Sequence, residues 1–194
     1  MKSVILIITY LFILSPALAQ KQRASKRFVN HTEVGGLFGR VKYGYVSNFN
    51  QEISENKLSL TIQTYEGIKL SDRLSTGLTA GIDWYKSALI NPVSVGVRYD
   101  IKKGKVARLY ASADAGYGFS WFHDDIEGYN TKGGLMLSPG IGIKYGKPGN
   151  TAVTIGLGWK RQEVDVTKPP FSGGTLRLEN RVYNRLSVRI GMSI

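Results

Sequence analysis

The sequence predicts an all-β chain, an eight-stranded antiparallel up-and-down barrel that crosses a membrane. Three observations carry this. First, apolar and polar residues alternate with period two, as Leu186, Val188, Ile190, Met192 and Ile194 do against Ser187, Arg189, Gly191 and Ser193; strands with one apolar and one polar face have this pattern. Second, short turns alternate with longer loops, an asymmetry of transmembrane barrels. Third, the three tryptophans, Trp84, Trp121 and Trp159, all fall on the apolar parity. No apolar helix is available to cover these faces, so lipid is their expected neighbour.

The chain begins Met1-Lys2-Ser3, runs almost wholly apolar from Val4 to Leu14 and reaches Ala17-Leu18-Ala19. A charged start, a short apolar run and an A-x-A site read as a signal peptide, residues 1–19. Residues 20–31 are a polar, basic lead-in on the periplasmic side, and 32–194 are the barrel. The chain has no cysteine, so an exported domain of this kind must hold by sheet hydrogen bonding and packing. The formal charge is +12. Export argues against a nucleic-acid partner for that charge.

In chain order, the first strand is expected at 32–46, with Leu37, Val41, Tyr43 and Tyr45 outward and Arg40 and Lys42 inward. A loop follows at 47–56. The second strand covers 57–69, where Leu58, Leu60 and Ile62 alternate with Ser59, Thr61 and Gln63. After the tight turn Ser71-Asp72-Arg73, the third covers 74–85 and the fourth 92–100, with Val93, Val95, Val97 and Tyr99 outward. The fifth spans 106–122, with alanines, Tyr117, Phe119 and Trp121 outward and Arg108, Tyr110, Ser112 and Asp114 inward. A loop at 123–131 leads to the sixth, 132–145. Gly146 to Asn150 is a turn of strong breakers. The seventh spans 151–162, the longest loop 163–180, and the eighth 186–194.

Residue placement sharpens the picture. Trp84, Trp121 and Trp159, with Tyr43 and Tyr45, are expected at one membrane–water interface, and Tyr99 and Tyr145 at the other. Ten strand glycines, among them Gly77, Gly96, Gly118, Gly142 and Gly158, share the inward parity. Glycine weakens strands and so needs a reason; the crowded interior of a narrow barrel supplies it. The same parity carries Arg40, Lys42, Arg98, Arg108, Lys144, Lys160, Arg185 and Arg189 with Asp83, Asp100 and Asp114. Buried charges need partners, so a lumen network centred on Asp83 and Asp114 with neighbouring arginines is expected.

The export signal, the eight alternating strands, the Trp84/Trp121/Trp159 belt and the apolar terminal strand together resemble the small outer-membrane β-barrel family, the OmpA/OmpX-like barrels. The resemblance is architectural, without a short signature motif. It implies the outer membrane of a Gram-negative envelope, with outer-membrane lipid around the barrel. Members have structural, adhesive, lipid-modifying or porin-like roles, and fold does not choose among these. The expectation is a non-enzymatic monomer with a plugged, charged lumen. Its loops 47–56, 123–131 and 163–180 would contact envelope components or an external ligand, the last offering Pro169, Pro170 and Phe171. No cofactor, metal or nucleic acid is expected. Two alternatives stay open. One is an outer-leaflet lipid hydrolase like the lipid A deacylases, using Ser120 with His123 and Asp125. The other is a narrow small-solute channel.

Overall fold

The computed structural model describes residues 27–44, 52–85, 88–102, 104, 106–125, 127–147, 149–169 and 177–194, with the backbone alone at 40–44, 52–56 and 177–179. The expected signal peptide and the lead-in up to residue 26 lie outside them. Eight strands follow one another: β1 (Phe28–Gly44), β2 (Glu52–Lys69), β3 (Leu74–Tyr85), β4 (Ala88–Lys102), β5 (Ala107–Phe119), β6 (Asn130–Tyr145), β7 (Ala152–Lys168) and β8 (Arg177–Ser193). Each pairs antiparallel with the next, and β8 returns to β1. That closing ladder runs from His31↔Ser193 to Phe38↔Leu186. Reciprocal backbone bonds between Asn30 and Ile194, at 3.0 and 3.2 Å, continue it. Closure joins the first and last strands, as lipid requires, since an open sheet edge there would leave backbone groups unsatisfied.

The two parities become the two faces of the wall. Leu58, Leu60 and Ile62 of β2, Val95 of β4, Ile141 and Ile143 of β6, Ile155 and Leu157 of β7 and Ile190 of β8 are exposed. On the opposite parity Thr61, Gln63, Asp83, Arg98, Asp114, Lys160 and Arg189 are buried. Among the described residues, buried polar side chains outnumber buried apolar ones. A water-soluble domain has the reverse arrangement.

Several strand ends differ from the sequence expectation. β1 starts at Phe28, four residues before the expected 32, because Phe28 to Asn30 pair with Ile68 to Glu66. The expected loop at 163–180 is mostly sheet: β7 and β8 stay paired from Ala152↔Ser193 out to Lys168↔Arg177. On β7 the outward residues of this extension, Glu163, Asp165 and Thr167, are polar. Glu163 receives Arg161 at 2.8 Å, and Asp165 accepts from Asn180 at 2.7 Å, while Val164 and Val166 are buried inside. Such a segment projects above the apolar belt, and its polar face gives it the composition of a loop. Likewise β2 begins at Glu52, inside the expected loop 47–56, and β6 at Asn130, inside 123–131. Trp121 sits just past the end of β5 rather than on it.

The parity of β1 is the larger correction. Leu37, expected outward, is fully buried, with His31 and Glu33 on the same inward side, while Val34 and Phe38 are exposed. Leu37 joins Tyr85, Ala88, Ile90, Val164, Val166 and Tyr183 in an apolar layer inside the barrel. Apolar residues on the inward parity are there to fill the lumen at its loop end. Gly35 and Gly39 share that parity, and a Cβ on either would press within 2.9 Å of Arg189 or 2.6 Å of Arg185.

Candidate functional site

The lumen gathers most of the chain's buried charge. Strand alternation sends one residue in two inward, and a narrow barrel brings opposite walls within side-chain reach. Three strands lie between β3 and β7 in either direction, so they face each other across the barrel. Asp83 of β3 and Lys160 of β7 meet there at 2.5 Å, both essentially fully buried. Asp83 also accepts a hydrogen bond from Thr61 Oγ1 at 2.7 Å and lies 3.5 Å from the Tyr85 hydroxyl. The Tyr85 ring stacks on Tyr183, centroids 4.4 Å apart.

A second centre forms round Asp114 of β5. Arg98 of β4 pairs with it at 2.9 Å and Thr79 of β3 donates at 2.6 Å. The Arg98 guanidinium lies 4.3 Å over the Tyr65 ring, a cation–π placement worth more when dry. Lys144 of β6 pairs with Asp100 of β4 at 2.8 Å.

A third centre was not expected. Glu33 of β1 accepts from Tyr110 of β5 at 3.0 Å, across the barrel, and from Gln63 of β2 at 3.1 Å and Thr154 of β7 at 3.3 Å. Arg189 of β8 lies 3.5 Å away and donates to Gln63 Oε1 at 2.9 Å. Sequence reasoning missed Glu33 because it inverted the faces of the strand that carries it; the inward glycines Gly35 and Gly39 carried the right parity.

The sequence-derived residues are therefore placed as follows. Asp83, Arg98, Asp114, Lys144, Lys160, Arg185 and Arg189 are buried, and Arg108 is half-buried on the same inward parity. Asp83 takes a lysine and not an arginine as its partner. Arg185 donates to the Lys57 carbonyl at 3.2 Å. The side chains of Arg40, Lys42, Tyr43 and Tyr45 lie outside the described residues. Trp84, Trp121, Trp159, Tyr99 and Tyr145 are all exposed on the outer face, Trp121 stacking on Phe119 at 4.3 Å.

The residues considered for hydrolysis are arranged otherwise than a nucleophile and base would be. The Ser120 hydroxyl donates to the Thr131 carbonyl at 2.8 Å. His123 Nδ1 accepts from the Leu89 amide at 3.3 Å, and its Nε2 lies 3.4 Å from Asp125. Asp125 in turn accepts from the Thr131 amide and hydroxyl at 2.9 and 2.6 Å. This cluster ties the 120–129 connection to β4 and β6. A serine nucleophile needs its hydroxyl directed at the base.

A closed antiparallel barrel of eight strands, apolar outside and charged inside, is the architecture of the small outer-membrane β-barrels. Solved structures agree. The chain is similar to the outer membrane protein OprG of Pseudomonas aeruginosa (12% identity, 86% of this chain and 94% of that chain covered, TM-score 0.57). It is also similar to Neisserial surface protein A (14%, 88% and 97%, TM-score 0.52). A third likeness is to the N-terminal β-barrel domain of Pseudomonas aeruginosa OprF (15%, 84% and 95%, TM-score 0.50). At these identities the likeness is one of fold. No protein-family model and no curated protein sequence matches the chain.

Proposed function

We propose that the chain is a non-enzymatic protein of the cell outer membrane whose lumen is held shut by its own side chains and whose contact surface is its loop end. The carrying observation is the pair of bonds between opposite walls, Asp83–Lys160 at 2.5 Å and Glu33–Tyr110 at 3.0 Å. Side chains that bond across the barrel fill the space a solute would need. In this arrangement the exposed Trp84, Trp121 and Trp159 sit at the interface of the loop end, with Tyr99 and Tyr145 at the turn end, where amphipathic rings are favoured. A cavity of about 420 Å³ at the loop end, lined by Trp84, His123, Asp125, Tyr129 and Arg181, supports contact with an external ligand. It offers aromatic surface beside both signs of charge.

Planar-bilayer recording of the purified, refolded barrel tests the reading. The native protein is expected to give no conductance steps, and an Asp83→Ser/Lys160→Ser variant to give them. Steady steps from the native protein would sink the closed lumen.

A further inference from the structure

The turn end of the lumen holds a cavity of about 510 Å³, and four nitrogen-bearing side chains face it: His31 of β1, Arg98 of β4, Arg108 of β5 and Lys144 of β6. Three are nearly sealed from solvent, at 2%, 3% and 6% exposure for His31, Arg98 and Lys144. Two of the cations have acids of their own, Asp114 for Arg98 and Asp100 for Lys144. Arg108 has none among the described residues, and its buried Nε has no hydrogen-bond partner. Both ring nitrogens of His31 are likewise unpartnered. The His31 ring is nonetheless fixed, held edge-on by Tyr65 and Tyr110 with centroids 5.7 and 5.8 Å away. Lys69 and Arg73 add positive charge to the lining, against Asp72 and Asp100.

Buried polar groups in folded proteins are paired, and each exception needs a reason. Here two exceptions line one cavity, both can donate N–H, and the surrounding charge is positive. We propose that this cavity binds a small phosphate-bearing anion. The Arg108 guanidinium and Lys144 ammonium would hold the phosphate oxygens and His31 would donate a ring N–H to them. Arginine suits this role because its planar fork matches an oxyanion and its charge-assisted bonds are strong. The site does not depend on the lumen being shut. Its phosphate can belong to a dissolved anion or to a lipid headgroup, and the test separates the two.

The chain has two histidines, His31 in this cavity and His123 at the loop end. Histidine-selective NMR of the refolded barrel therefore carries a reporter and an internal control. In neutral maltoside micelles at fixed pH, titration with inorganic phosphate is expected to move the His31 resonance saturably and leave His123 in place. Arg108→Gln should weaken that response about tenfold or more, the loss of a charge-assisted bond. Arg108→Lys should keep part of it. Heat-modifiable mobility on gels shows that each variant is folded. The second arm uses nanodiscs of neutral glycolipid doped with phosphatidylglycerol and no dissolved phosphate. A His31 shift there that needs Arg108 assigns the headgroup; one seen only with dissolved phosphate assigns the free anion. The proposal is overturned if His31 moves in neither arm, if both histidines drift together without saturation, or if Arg108→Gln titrates like the native protein.

Discussion

The two ends of the lumen are lined by different chemistry. At the loop end Leu37, Tyr85, Ala88, Ile90, Val164, Val166 and Tyr183 form an apolar layer. Asp83 and Lys160 lie close by and, among the described residues, form an ion pair only with each other. At the turn end the charges are shared. Glu33 takes three neutral donors as well as Arg189, and cations face a cavity. An apolar layer keeps water from a charged pair, so whatever the pair lacks from its partner cannot come from solvent. A shared network loses one member more gently. On the proposed reading the loop end is the seal, and the turn end tolerates rearrangement of charge.

The sharpest test of that contrast removes one charge without changing shape. Asp83→Asn leaves Lys160 buried without a counter-charge, and breaking a buried pair in this way costs about 3–5 kcal/mol. Urea titration of the barrel in lipid vesicles should show a loss of that size. Adding Lys160→Met should restore most of it, because replacing both partners by groups of similar volume removes the orphaned charge. A cost below about 1 kcal/mol for the single variant would mean that water reaches Lys160, and the loop end would then be no more sealed than the turn end.

A smaller effect probes the apolar layer itself. Tyr85 stacks on Tyr183 at 4.4 Å and its hydroxyl lies 3.5 Å from Asp83. Tyr85→Leu keeps an apolar filler but loses the ring pair and the polar tip, so about 1–2 kcal/mol is expected in the same titration. The contrast breaks if this change opens conductance while Asp83→Asn does not, since the aromatic stack and not the ion pair would then be the seal.

The strand plan was readable because lipid outside and polar groups inside force period two along each strand, and β3 was placed at 74–85, its bounds in the structure. The boundaries that slipped share one cause. Beyond the apolar belt the outer face also meets water, so Glu163, Asp165 and Thr167 look like a loop although β7 and β8 continue their ladder there. The inversion of β1 has another cause. Apolar character marks lipid contact in most of the barrel, but at the loop end it also fills the lumen, and Leu37 was ambiguous between the two. Glycine was the better guide, since Gly35 and Gly39 lie where a side chain would meet Arg189 and Arg185. Glu33 could have been found by that route. The pairing of Asp83 with Lys160 could not, because parity says which residues enter the lumen but not which of them meet across it.

Glu33→Gln is the matched counterpart of Asp83→Asn. The amide keeps an oxygen for the hydroxyls of Tyr110 and Thr154, which lie 3.0 and 3.3 Å from the native carboxylate. Arg189 loses a carboxylate at 3.5 Å but keeps the Gln63 oxygen at 2.9 Å. Bonds to a charged acceptor become bonds to a neutral one, a difference of about 1–2 kcal/mol. The two isosteric variants measured side by side therefore report how charge is distributed at each end. A larger loss at Asp83 than at Glu33 is expected because Lys160 pairs with that carboxylate, whereas Arg189 also has the Gln63 oxygen. Equal losses would mean that Arg189 depends on Glu33 as Lys160 does on Asp83, and the turn-end network would then reduce to a single ion pair with neutral neighbours.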